Sequence, residues 1–442
     1  MGTDVDVIER KMIKPSSPTP SHLKNLKLSL LDQIIPPMYG LIVFFYPAEA
    51  SSNNSDRSAR LKDSLSQTLT TFYPMAGRTK ADEPSIDCSD DGALFVEAKI
   101  EINLSDFLGQ PDTDRLNHFV PTNDPTTAEL AQGCITQIQL TAFQCGGTAV
   151  SACLSHKVGD ISSLISFLNS WSSTTRDDPY SVIGHPPVFI GDSLLPPIDM
   201  SLMQRKDTRS EKLVSKRFVF EASKIAQLKA KVSADMEELS QKDHYYTSRV
   251  EVVLALILKC AVAASRTVRG SFKQSVLFQA VNLRPRMDPP LPENSIGNLL
   301  WFLPVVIEES DMELGIVVHK MKKLVNEFVN DKAMKFKDDV LSVLGEFSKW
   351  RDFQEMELYS CSSWCKFPLY ETDFGWGKPM WVSSASLAFK NSIILVDTKE
   401  GDGVEAWVTL DEENMVIFEK NGDLLNAATF NPSALDITTQ SL

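Results

Sequence analysis

The spacing of hydrophobic and polar positions along the first half of the chain predicts strands that alternate with helices. Short apolar or alternating runs bounded by turn-forming residues are typical of strands. Apolar residues that recur at every fourth position, as Leu61, Leu65 and Leu69 do, are typical of one face of an amphipathic helix. These patterns predict strands at residues 4–13, 41–46, 135–144 and 148–154, and helices at 58–72 and 161–171.

The second half of the chain shows the same mixture after a long interruption. Residues 184–212 contain two Pro-Pro pairs and a charged run with little periodicity, which is typical of a connection between domains. Ser248 and Glu251 have the spacing of a capping box, in which each side chain satisfies a backbone amide at the start of a helix. The patterns predict strands at 216–220, 380–398 and 403–410, and helices from 223 and at 250–264, 312–329 and 336–349.

The length of 442 residues allows two domains. We place an N-terminal domain at 1–190, a crossover loop at 191–213 and a C-terminal domain at 214–442. The predicted fold class is therefore mixed α/β (α+β), with sheet and helices in each half.

Composition excludes several classes of protein. A hydrophobic fraction of 43% and a charged fraction of 23% are those of a soluble globular protein with real cores. The net charge of −14 argues against nucleic acid or an anionic membrane as a partner. The first six residues contain no apolar signal core, and no window approaches the ~18 apolar residues of a membrane span. We therefore expect a cytoplasmic protein.

The cysteines predict no disulfide framework and no metal site. There are seven of them, an odd number, without paired spacing. Cys361 and Cys365 are separated by three residues, which is not the two-residue spacing of a zinc knuckle or a redox pair. Reduced thiols in the cytosol are the expected state.

His156 and Asp160 lie four residues apart, at the predicted junction between a strand and a helix. An imidazole there could act as a general base, since its pKa is near working pH. The alternative is a buried histidine whose ring is satisfied by a backbone carbonyl. Asp160 has two interpretations as well: it orients His156 as the acid of a triad, or it caps the following helix.

A second motif, Asp373-Phe374-Gly375-Trp376-Gly377, combines aromatic residues with glycines. The two glycines predict a loop with unusual backbone angles or close packing. The Asp-Phe-Gly start is shared with kinases, but neither a glycine-rich loop nor a catalytic-loop motif accompanies it. Trp376 either packs in a core or donates its indole N–H to a developing oxyanion.

Taken together and in this order, the two motifs resemble the signatures of the plant BAHD acyltransferases, which move an acyl group from coenzyme A to an alcohol or amine. The resemblance extends over most of the chain. One departure is Ile161, which follows Asp160 where the family usually has glycine. That variant occurs in members acting on alkaloids and other specialised alcohols, so it concerns the acceptor. Four further segments also resemble the family: 28–33, 72–78, 282–298 and 363–365.

The resemblance implies two chloramphenicol-acetyltransferase-like domains, the first completed by a segment near 373–395, with a channel between them. His156 would deprotonate the acceptor as it attacks the thioester, without a metal or a covalent enzyme intermediate. Asp160 would point away from substrate and pair with an arginine, either Arg284 or Arg286. Asp373 and Gly375 would shape a structural loop.

The resemblance also implies two small-molecule partners, an acyl-CoA and an alcohol or amine of plant specialised metabolism, and a monomeric enzyme. Acetyl is the first choice of acyl group, followed by benzoyl or cinnamoyl types, with malonyl disfavoured. Because coenzyme A is polyanionic, an acidic chain must still provide a basic pocket. Arg249, Lys259, Arg266 and Arg284 are the residues considered for it, and each is also compatible with an ordinary surface charge.

Two other classes of function stay open. A non-catalytic relative would bind a small metabolite, although the intact His156 argues against it. A hydrolase would use Cys153 or Cys145 as nucleophile, but Cys153 precedes His156 by three residues in one strand, which directs the two side chains to opposite faces. The chain contains no Gly-x-Ser-x-Gly elbow, which disfavours a serine hydrolase.

Overall fold

Two mixed β-sheets, centred on different halves of the chain, organise the structure. The computed structural model describes residues 5–48, 54–80, 83–121, 133–177, 186–198, 212–238, 246–332, 345, 353, 355–385 and 389–435. Its strands are β1 Asp6–Ile13, β2 Asn25–Lys27, β3 Tyr39–Tyr46, β4 Arg78–Thr79, β5 Ser85–Asp87, β6 Ala93–Ile100, β7 Thr136–Phe143, β8 Thr148–Ser155, β9 Val188–Phe189, β10 Leu213–Phe220, β11 Ser275–Asn282, β12 Ser295–Ile296, β13 Leu300–Ile307, β14 Glu357–Ser363, β15 Trp381–Ser383, β16 Ser392–Asp397, β17 Val404–Asp411 and β18 Thr429–Phe430.

Helices cover these sheets and connect their strands. The α-helices are α1 Leu30–Ile34, α2 Asn54–Thr71, α3 Leu104–Gly109, α4 Ile161–Thr175, α5 Gly191–Leu194, α6 Ala222–Glu238, α7 Arg249–Arg269, α8 Leu314–Glu327, α9 Glu412–Phe418 and α10 Gly422–Ala427. Among the described residues, no helix combines the length and the hydropathy that crossing a membrane requires.

The first sheet has the strand order β1-β6-β7-β8-β3-β15. Its last strand comes from the second half of the chain: Trp381 of β15 lies opposite Phe45 of the antiparallel strand β3. The second sheet has the order β13-β11-β14-β16-β17-β10-β18. The run predicted as strand at 380–398 therefore contains two strands, β15 and β16, that belong to different sheets.

The local patterns explain the elements that the sequence predicts best. Leu61, Leu65 and Leu69 are fully buried on α2, which confirms that this face of the helix packs on the core. The capping box at α7 is present, with the Ser248 hydroxyl accepting from the Glu251 amide N–H and the Glu251 carboxylate accepting from the Ser248 N–H. The helix is followed by Gly270 as its C-cap, whose φ of 77° is left-handed and favours glycine.

Other expectations are corrected or fall outside the described residues. The crossover is not wholly irregular, because β9 pairs in parallel with β12 and α5 follows it. Residues 199–211 of the crossover lie outside the described residues, as does the predicted helix at 336–349 except for Gly345.

Helix α1 connects the two halves. Leu30 and Leu31 of this short helix are buried in a core cluster with Val281, Leu283 and Trp301 of the second half. The segment therefore holds the second half of the chain close to the end of β8, where the histidine motif begins.

Candidate active site

His156 is the first residue beyond β8, at the junction that the sequence predicts. Its backbone N–H donates to the Met38 carbonyl at 2.8 Å, which ties it to the loop before β3. Asp160 is the N-cap of α4, and its carboxylate accepts from the Ser163 amide at 3.0 Å. The histidine is therefore mounted between a rigid strand and a capped helix, with its ring half-buried.

The two ring nitrogens of His156 have different surroundings. Nδ1 lies 3.4 Å from Oδ1 of Asn298. A Cβ atom added at Gly40 would lie 3.4 Å from Nε2, so the absence of a side chain at Gly40 leaves this nitrogen uncovered on that side. Burial lowers the pKa of His156 below its ordinary value of 6.5, although the Asn298 hydrogen bond, the charge of Asp160 and a hydrogen bond with the Gly159 backbone act in the opposite direction. The imidazole is therefore neutral at neutral pH and able to accept a proton.

Asp160 is paired with Arg284, the first of the two arginines considered. Arg284 Nη1 donates to Asp160 Oδ2 at 2.8 Å and Nη2 donates to Oδ1 at 3.0 Å. Burial alone would raise the pKa of Asp160, but the charge and hydrogen bonds of Arg284 outweigh it and hold the pKa below its usual value. Arg286 instead donates to the backbone carbonyl of Asn282. The carboxylate thus connects the helix cap to the second half of the chain.

The ion pair leaves Arg284 in the interior. Its side chain is 2% exposed. Its Nε and Nη2 also donate to the Ser295 carbonyl, at 3.0 and 2.8 Å. This guanidinium does not reach solvent, so the geometry offers no support for its second predicted role in binding coenzyme A.

The other basic residues considered for coenzyme A lie along α7 and already have acidic partners. Arg249 pairs with Asp397 at 2.7 Å, Lys259 with Asp423 at 3.4 Å and Arg266 with Glu309 at 2.9 Å. At ~1.5 Å rise per residue, Arg249 and Arg266 are roughly 25 Å apart along the helix. The three cations are not gathered into one pocket.

The pentad 373–377 forms a tight loop. Asp373 Oδ1 accepts from the amides of Gly375 and Gly377 at 2.7 and 2.9 Å. Arg176 donates to the backbone carbonyl of Asp373. Both glycines have positive φ angles, 100° and 96°. The aspartate and the glycines together define the shape of this loop.

Trp376 lies in the core of the first half, remote from His156. Its ring centroid is 6.2 Å from that of Tyr46, which ends β3. Gly40, next to His156, is at the other end of this strand, about 20 Å away at ~3.3 Å per residue. The geometry therefore supports the packing interpretation of Trp376 and not the oxyanion interpretation.

Replacing Gly375 by alanine is expected to destabilise the fold by about 1–3 kcal/mol, because a side chain is strained at this φ. The new Cβ would also lie 2.7 Å from Arg60 Nη2, which donates to the Thr175 carbonyl. Gly377→Ala is the matched control: its φ is similar, but no atom lies within 4 Å of the added Cβ. Thermal unfolding of both variants measures the two losses of stability. Gly375→Ala should lose more than Gly377→Ala, because only its new side chain crowds Arg60 where it donates to the Thr175 carbonyl. Equal losses would show that this contact with Arg60 contributes nothing.

Three residues of the site are not identified individually by the sequence analysis. Asn298 faces the His156 ring, and Asp32 accepts from the Asn298 side chain at 2.8 Å. Lys157 Nζ donates to the carbonyls of Gln33 and Ile35 at 3.2 and 2.7 Å, at the end of α1. Asp32 and Asn298 fall in two of the segments that resemble the family, but no local pattern indicates that they meet.

The cysteines proposed for a hydrolase are poorly placed for attack. Cys153 is fully buried in β8. Cys145 precedes β8 at the end of the strand opposite to His156. Within the described ranges, no group of three or more His, Cys, Asp and Glu residues is arranged to hold a metal ion.

The two-sheet mixed α/β fold, with His156 where its two halves meet, is that of the chloramphenicol-acetyltransferase-like proteins. Comparisons with known proteins identify the family within that class. The Transferase family model matches residues 3–425. Akuammiline synthase 1 of Alstonia scholaris is 39% identical over 96% of this chain and 97% of its own length. Stemmadenine O-acetyltransferase of Catharanthus roseus is 36% identical over 94% of this chain and 96% of its own length.

A solved structure agrees with these relatives. The crystal structure of vinorine synthase matches with a TM-score of 0.84 at 32% identity, covering 98% of this chain and 100% of that one. The chain belongs to the plant BAHD acyltransferase family and is an acyl-CoA-dependent acyltransferase.

Proposed function

We propose that the protein transfers an acetyl group from acetyl-CoA to a hydroxyl group, or alternatively an amine, of a plant specialised metabolite, with His156 as general base. The geometry of the His156 ring supports the proposal: Nδ1 faces Asn298, and Nε2 lies beside Gly40, which has no side chain to cover it. Burial lowers the pKa of this imidazole, which favours the neutral form that a base requires. Stemmadenine O-acetyltransferase, at 36% identity, supports the choice of acetyl and of oxygen.

The reaction follows from this geometry. His156 Nε2 takes the proton of the acceptor hydroxyl while the oxygen attacks the thioester carbonyl carbon. The tetrahedral intermediate collapses, the carbon–sulfur bond breaks, and the imidazolium returns the proton to the departing thiolate. Base catalysis of this kind raises the reaction rate by about 10²–10⁴-fold. Alignment of two bound reactants lowers the activation barrier by about 7–11 kcal/mol.

For the acceptor we propose an apolar surface that begins beside Asn298. Leu300, Phe302, Pro304 and Val306 are the half-buried positions on one face of β13. In the paired strand β11, Phe278 lies opposite Pro304, and Ala280 lies opposite Phe302. A largely hydrophobic metabolite with one reactive hydroxyl fits such a surface, because apolar area provides affinity and the base selects the reacting group.

For coenzyme A we retain Arg249, Lys259 and Arg266 as alternative contacts of the phosphates, because their spread of roughly 25 Å along α7 does not allow one phosphate group to contact all three. Each has a carboxylate neighbour, so a phosphate must exchange with that partner, which reduces the gain in affinity. We further propose that the protein acts as a monomer in the cytoplasm.

The choice of acyl group is tested by competition between donors. Purified protein is incubated with equimolar acetyl-CoA and benzoyl-CoA and a panel of hydrophobic alcohols and amines, and the products are quantified by mass spectrometry. We expect acetyl esters to dominate. A majority of benzoyl products would replace acetyl with an aromatic acyl group, and a majority of amides would replace the hydroxyl with an amine.

A further inference from the structure

We propose that Asn298, held in place by Asp32, is a positioning residue that fixes both the orientation and the tautomer of His156. The inference rests on the proposed function of His156 as a base. It gives two segments far from the histidine in sequence a direct part in the reaction.

The orientation of the Asn298 amide is determined by its neighbours. Its Nδ2 lies 2.8 Å from Asp32 Oδ1 and 2.6 Å from the His156 carbonyl oxygen. Both are acceptors, so the two N–H groups of the amide are directed toward them. The remaining atom, Oδ1, therefore faces Nδ1 of His156 at 3.4 Å. Asn298 is fully buried, which leaves no solvent to replace any of these partners.

The tautomer of His156 follows from this orientation. An amide oxygen carries no hydrogen, so Nδ1 of a neutral ring that faces it must be the protonated nitrogen. Nε2 then carries the lone pair, on the side that Gly40 leaves uncovered. The distance of 3.4 Å is long for a hydrogen bond, as is common for catalytic pairs before substrate binds.

Asp32 fixes Asn298 from the opposite side. Its Oδ1 also accepts from the Asn298 backbone N–H at 2.9 Å. Its Oδ2 accepts from the backbone N–H and hydroxyl of Ser29 at 2.8 and 2.6 Å, in the capping box of α1. Asp32 is 5% exposed, so the carboxylate has little freedom to move. The base, the amide and the carboxylate thus form one chain of contacts across the two halves of the molecule.

The charged groups on the elements around the ring set its pH dependence. Asp160 is neutralised by Arg284. Asp32 lies behind Asn298, and burial raises the pKa of this carboxyl above its ordinary value of 3.8. The Lys157 ammonium is bound to carbonyls at the end of α1. Because the Asn298 hydrogen bond raises the pKa of His156, its loss should lower that pKa further. The active form is neutral imidazole, so a lower pKa moves the acid limb of the rate profile to lower pH.

The test compares Asn298→Leu, Asp32→Leu and the conservative variant Asp32→Asn. For Asn298→Leu we expect kcat to fall on the order of 10²-fold with KM for acetyl-CoA nearly unchanged, and the acid limb of kcat to move to lower pH. Asp32→Leu should act in the same direction. Asp32→Asn keeps an acceptor oxygen for Asn298 but turns its NH₂ donor toward the Ser29 N–H, so it should retain more activity than Asp32→Leu at some cost in stability. The double variant Asn298→Leu/Asp32→Leu buries no unpaired carboxylate. If one of the single variants does not fold, the same measurements are made on the double variant.

A second readout does not depend on catalysis. Nitrogen NMR of histidine-labelled protein, with His156→Ala to assign the signal, should show Nδ1 protonated in the unliganded native protein and a loss of that preference in Asn298→Leu. Asn298→Leu with an unchanged acid limb and an unchanged tautomer would overturn the proposal, as would a native spectrum with Nε2 protonated. If the proposed acyl transfer fails while the tautomer shift is seen, the positioning stands and the function of the base must be revised.

Discussion

Replacing His156 by alanine is expected to lower kcat for acyl transfer by about 10²–10⁴-fold, the usual contribution of a positioned base. The protein should still bind acetyl-CoA with a similar KM, because the loss affects proton transfer and not the phosphate contacts. Acceptor-dependent release of coenzyme A, followed with a thiol reagent, measures both quantities.

His22→Ala is the matched control for this variant. His22 is exposed on the short 3₁₀ helix Ser21–Leu23, and its replacement should leave the rate unchanged. Retention of native kcat in His156→Ala would contradict base catalysis at this residue. An equal loss in both variants would point to a general effect on the fold.

The second large effect is expected at the buried ion pair. Replacing Arg284 by methionine should destabilise the protein by about 3–5 kcal/mol, because it leaves the Asp160 carboxylate buried without its partner. Both side chains are 3% exposed or less. Denaturant unfolding measures the loss. The double variant Arg284→Met/Asp160→Leu should be more stable than Arg284→Met alone, since it removes the unpaired charge.

Arg266→Met provides the control for the ion pair. Arg266 and Glu309 also form a pair, but their side chains are 55% and 58% exposed. Exposed pairs contribute little, so this variant should lose no more than about 1 kcal/mol. Similar losses at Arg266 and Arg284 would contradict the assignment of a structural role to the buried pair.

The same pair predicts a dependence of stability on pH. The pKa of Asp160 is held below its ordinary value of 3.8. Its contribution to stability is therefore complete above about pH 3.8 and is lost as the pH falls through the lower pKa of the folded state. Asp160→Asn should be less stable at neutral pH and should lose less stability than the native protein across that acidic window.

Much of the fold is predictable from local patterns, and the exceptions have physical reasons. The continuous apolar run of β3 predicts a buried strand, and the leucines at every fourth position of α2 predict a helix with one buried face. Both patterns are local in the sequence. The local pattern does not predict strand β13, because Pro304 interrupts it. A proline is tolerated there since β13 is the edge of its sheet. Strand β15 is three residues long and is stabilised by pairing with β3, far away in sequence.

The candidate site divides in the same way. His156 and Asp160 are predictable because a base and a helix cap have local signals at a strand–helix junction. The contacts of His156 with Asn298, and of Asn298 with Asp32, depend on how α1 and the second half of the chain pack, and no local pattern reports that packing. Coenzyme A contacts are harder still, because scattered cations in an acidic chain resemble ordinary surface charges.

Acyl transfer by His156 is tested most directly by mass spectrometry of purified protein incubated with acetyl-CoA and a mixed panel of plant alcohols, alkaloids and amines, beside His156→Ala. We expect an acetylated product with the native protein and at most a trace with the variant. Equal product from both proteins would contradict catalysis by His156. Silence from the native protein with acetyl-, benzoyl- and cinnamoyl-type thioesters across the panel would contradict the proposed transfer itself.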